Sequence, residues 1–99
     1  MHTERFYHAL LYEIRKEQAT SLGRAGERLS AALERYRIRT AANEPLGPSD
    51  RESLIAAVIS SIWALAVQRE LIGFHHDNLA WIVDVYAVPQ VIRHRLGLA

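Results

Sequence analysis

Proline and glycine cluster at one place in this chain, Asn43–Pro48, NEPLGP, and no segment alternates polar and apolar residues as a strand does. That single interruption leaves two long stretches of helical period, and they dictate an all-α fold. Thr3 can cap a helix running to about Arg39. Ser49, with Glu52 three residues on, forms a capping box for a second helix that runs to about Ile72, where Gly73 supplies a stop. Asp77 or His76 can cap a short third helix through Tyr86. Pro89 suits the first turn of a fourth, Gln90–Leu96, ended by Gly97. The expected organisation is one domain over 1–99: helix about 3–39, linker 40–48, helix about 49–72, and short helices about 77–86 and 89–96.

Lengths constrain how these pieces pack. At ~1.5 Å per residue the first helix is ~55 Å long and the second ~35 Å. A short linker makes them antiparallel, so the second ends opposite about Glu17. The first four turns of the first helix, with Phe6, Tyr7, Leu10, Leu11 and Ile14, then lie uncovered. The two short helices, with Leu79, Trp81, Val83, Tyr86, Val91 and Ile92, are the expected lid on that open end. The expectation is an antiparallel long-helix hairpin capped at its open end and dimerising into a helical bundle.

Two glycines, Gly23 and Gly26, fall inside the first helix. At ~100° per residue, Tyr7, Leu11, Ile14, Gln18, Leu22, Ala25, Leu29, Ala32, Leu33 and Tyr36 share one face, and the phase holds across both glycines. A loop would have reset it, so one continuous helix is expected. Ala19, Gly23, Gly26 and Ser30 form a second, all-small stripe. Glycine costs about 1 kcal/mol against alanine in a helix interior, and close approach of another helix along the stripe is the expected compensation. A tolerated kink at Gly23 is the alternative. Walker A requires a lysine after its second glycine where this chain has Glu27, and the KH-type GxxG clamp belongs to a fold with strands.

The second helix is apolar or small nearly all round between Leu54 and Val67. Leu54, Ile55, Val58, Ile59, Ile62, Leu65 and Ala66 make one wide face; Trp63, Val67 and Ala56 lie on another. Such a helix asks for cover on every side, and the first helix covers one. A homodimer with the second helix central is the expected answer. A monomer whose C-terminal segment folds back over that helix is the alternative.

Polar residues mark the candidate sites. Gln18 in the first seam and Arg69 on the second should meet, with Glu17 or Glu13 as the carboxylate that a buried guanidinium requires. The same spot is a candidate small-ligand anchor. Arg24, Arg28, Arg35 and Arg39 align within about 60° on the solvent side of the first helix and form a candidate basic stripe for phosphates. Glu13 and Glu17 continue the stripe towards the N-terminus, Glu27 and Glu34 intervene, and the chain carries a net charge of +1, so nucleic acid is the secondary reading and a solvated face the first.

Other classes find less support. The chain has no cysteine, which excludes thiolate ligands and disulfides. His75, His76 and Asp77 are adjacent and complete no metal site. No nucleophile elbow or paired buried carboxylates mark an enzyme, and no metal or cofactor is expected. The turn at Ala87-Val88-Pro89 comes too late for a DNA-reading helix-turn-helix. The N-terminus, MHTERFYHALLYEIRKEQ, lacks the apolar core of a secretory signal, and the longest uncharged run, Ser53–Gln68, has sixteen residues, short of the ~20 a bilayer demands. A cytoplasmic protein without a membrane segment is the expectation.

The stretches SLGRAG (21–26), VQRELIG (67–73) and VPQVIRHRLG (88–97) together resemble a family of short, all-helical bacterial proteins with no assigned function. The resemblance implies a bacterial cytoplasmic helical protein and transfers no site residue. The residues themselves point to a small interaction or scaffold module, acting as a homodimer, with an unidentified protein as the other partner class.

Overall fold

Residues 2–99 are described by a computed structural model, which is all-α among those residues. Its helices are α1 (His2–Ala41), α2 (Pro48–Leu71), α3 (Asn78–Val85) and α4 (Gln90–Arg95). α1 runs without a break through Gly23 and Gly26. α2 packs on the C-terminal half of α1, and Ser21, Arg24 and Arg28 of α1 sit beside Trp63, Val67 and Gln68 of α2.

The core lies between these two helices and the returning C-terminal segment. From α1 come Ala25, Leu29, Ala32, Leu33 and Tyr36, from α2 Leu54, Ile55, Val58, Ile62 and Leu65, and from the last segment Ile82, Val83, Val88 and Ile92. The α1 contribution repeats every three or four residues, which is why a single stripe of that helix suffices. By length and composition alone the 24-residue α2 would be able to cross a membrane. In this fold Leu54, Ile55, Val58, Ile62 and Leu65 of that helix lie in the core.

Helix ends follow local chemistry. α2 begins one residue before Ser49: Gly47 is its N-cap and Pro48, with its preset φ, takes the first turn. Ser49 is thus inside the helix, and no side chain caps it. Glu52 is directed to Arg95 in place of a capping box. Asp77 caps α3 by accepting from the Ala80 N–H at 3.2 Å. α2, α3 and α4 close in the same way. The amide two residues beyond each cap bonds back to the carbonyl five residues earlier, as Phe74 to Arg69, Val88 to Val83 and Leu98 to Arg93. The residue just past each cap is left-handed: Gly73 at φ 104°, Ala87 at φ 51° and Gly97 at φ 77°.

The lid expected on the open end is elsewhere. The sharp turn after Leu71 sends α3 and α4 back along α2, so Arg95 of α4 reaches Glu52 near the start of that helix. Two carbonyls at the end of α3, those of Tyr86 and Ala87, accept from Arg37 on α1 at 3.2 and 3.1 Å. α2 is therefore covered by its own chain on two sides, with Trp63, Val67 and Leu71 left on the outside. The first turns of α1 stay bare. From Thr3 to Glu17 every residue is exposed except Leu11, which is half-buried. The molecule measures 66 × 25 × 19 Å, and the long dimension is close to the ~60 Å of α1 alone.

Candidate functional site

Two surfaces collect the residues singled out from the sequence. The first is a groove of about 570 Å³ between α1, α2 and the segment that returns along α2. Its floor is the small stripe, Ala19, Gly23, Gly26 and Ser30, and its walls include Leu22, Leu65, Arg69, Trp81 and Tyr86. No helix lies on this stripe. What approaches it is one side chain: a Cβ built on Gly26 would stand 2.8 Å from the Tyr86 hydroxyl oxygen, whereas one on Gly23 meets nothing within 4 Å. The close approach expected of a helix belongs, at Gly26 alone, to Tyr86.

Arg69 forms the end wall, and its partners differ from those its sequence position suggested. Its Nε donates to Asn78 Oδ1 at 2.9 Å, and the Asn78 amide donates to the Phe74 carbonyl at 2.7 Å. The guanidinium lies 3.6 Å from the Trp81 ring centroid and 4.5 Å from that of Phe74. Neither Glu13 nor Glu17 pairs with it; Glu17 is exposed and Gln18 half-buried. The reason is the direction of the chain after Leu71: it brings Asn78 and Trp81 to the arginine before any α1 carboxylate can reach it. Stacking on two rings and one neutral acceptor stabilise the charge without an ion pair. This cluster is what turns α3 back along α2. A guanidinium held this way can also receive a carboxylate or phosphate through its terminal nitrogens.

The four arginines of the stripe are all exposed on α1 and have two kinds of surroundings. Arg24 and Arg28 border a second cavity of about 480 Å³ with Trp63, Ala64 and Val67. Arg35 and Arg39 lie further along α1, exposed, and none of the four forms an ion pair among the described residues. The arginines that hold the fold are others. Arg93 donates to the carbonyls of Val83 at 2.9 Å and Val88 at 3.1 Å and pairs with Asp84 at 3.0 Å, which fixes the α3–α4 corner. Arg95 forms a two-pronged pair with Glu52, one prong at 2.8 Å. The Arg95 guanidinium holds the Glu52 carboxyl below its ordinary range and is itself raised. These roles were hidden in the sequence because Arg93 bonds backbone carbonyls at the end of α3 and Arg95 pairs with a carboxylate 43 residues away. Asn78 left a trace: it is an amide opening the apolar run LAWIV.

The second surface is the bare arm of α1, residues 3–17. Phe6 is 71 % exposed, Tyr7 59 %, Leu10 47 % and Ile14 43 %. Tyr7 and Ile14 continue the seam that Leu22, Ala25 and Leu29 bury further along the same helix, and Leu10 and Phe6 widen the apolar face on one side of it. His75, His76 and Asp77 are all exposed, and no group of three metal-ligating side chains occurs among the described residues.

A small all-α protein whose long helix projects an apolar face beyond its own core is what these features define. The chain belongs to DUF6665, a family of unknown function, which matches residues 3–98. No curated protein and no solved structure matches it.

Proposed function

We propose that this protein works by helix-mediated association, as a small cytoplasmic interaction or scaffold module that assembles first with a second copy of itself. The observation that carries the reading is the arm. Four large apolar side chains lie on one face over about three turns, all of them more than two-fifths exposed. Contiguous apolar surface of this kind marks a binding face more often than a hydrated one. A projecting helix of about 15 residues is also marginal in water without a packed face. Each side chain removed from water contributes roughly 1.5–3 kcal/mol, and several together offset the loss of free motion on association.

The arginine stripe offers weaker support for nucleic-acid binding, since Glu27 and Glu34 share its helix and the net charge is +1. Light scattering at tens of micromolar tests self-association. The reading expects the mass of two chains, falling on dilution; a mass near 11.2 kDa at every concentration would contradict it.

A further inference from the structure

We propose that the arms of two copies pair with each other, antiparallel, about a twofold axis between Leu10 and Leu11. This rests on the self-association reading above and adds to it the surface, the register and the direction.

The seam along the arm is its own mirror image. Thr3, Tyr7, Leu10, Leu11, Ile14 and Gln18 occupy one face. About the midpoint of Leu10 and Leu11, Tyr7 mirrors Ile14 and Thr3 mirrors Gln18. When a second copy runs the opposite way, each Tyr7 meets an Ile14, the leucines interleave at the centre, and polar residues close both ends. An isologous interface requires a patch complementary to itself, and this one is.

The flanking charges suit this direction. Glu4 and Arg15 flank the seam on the same side, at opposite ends of the arm. Antiparallel pairing brings Glu4 of each copy within one turn of Arg15 of the other. Length agrees as well. Once the arms overlap fully, the tip bearing Thr3 lies level with the partner's Gln18, where α2 ends with Leu71 and Phe74 exposed. The same contact then shelters the bare end of α2.

The chain lacks cysteine, so single-cysteine variants report the geometry cleanly. Leu10 and Thr3 are exposed on the arm, and Trp63 on the outer face of α2, so none of the three belongs to the core. A disulfide forms only where the two Cα atoms come within about 7 Å. Under mild oxidation, Leu10→Cys should link two chains covalently, Thr3→Cys and Trp63→Cys should remain at background, and Thr3→Cys combined with Gln18→Cys should link. Linking of Thr3→Cys alone to the extent of Leu10→Cys would mean parallel arms and overturn the proposal. If Trp63→Cys links while Leu10→Cys does not, the chains associate through α2: self-association stands and the arm pairing falls. If the parent chain scatters light as a single chain throughout, both fall together.

Discussion

Gly26 and Gly23 look equivalent in the sequence, yet they do different work. The Tyr86 hydroxyl occupies the space a side chain would take at Gly26, while Gly23 faces open groove. Alanine at either position relieves about 0.5–1 kcal/mol of helix penalty. Gly23→Ala should therefore raise stability by about that amount, read from the urea midpoint. Gly26→Ala should gain little or lose, because its Cβ collides with Tyr86. In a Tyr86→Phe background the collision is relieved and the Gly26→Ala gain should return, a coupling that a double-mutant cycle measures. Equal gains at both glycines in the parent chain would show that Tyr86 is not what Gly26 accommodates. That the stripe is small was legible from spacing alone. What fills it was not, since Tyr86 reaches Gly26 only through the fold of the whole C-terminal segment.

At the level of elements, periodicity and glycine stops were readable, and long-range turns were not. The seam from Leu22 to Tyr36, the left-handed Gly73 and Gly97 and the Asp77 cap all follow from neighbours in sequence. The course of α3 does not. It is decided by Arg69 meeting Asn78, Phe74 and Trp81, contacts whose partners cannot be ranked before the turn is known. Ala87 is the third left-handed closure and was invisible because alanine does not advertise that conformation. The same fact yields a prediction. Ala87→Gly removes the Cβ strain and keeps the carbonyl that Arg37 binds, so it should stabilise the chain by about 0.5–1 kcal/mol. An unchanged or lower urea midpoint would indicate that the φ of 51° is not strained.

The whole molecule is set by unequal helix lengths. α1 has 40 residues and α2 24, and the returning C-terminal segment covers α2 instead of the excess of α1. The apolar demand that α2 shows in the sequence is thus met largely within the chain, and the unmet demand moves to the arm. Hydrogen exchange of the backbone amides, followed at two protein concentrations, examines this most directly. At a concentration where light scattering gives two chains, amides of residues 5–17 should be protected alongside those of residues 25–36. On dilution to single chains the first group should exchange faster while the second stays unchanged. If the arm amides exchange at one rate at both concentrations, a second copy is not what covers them.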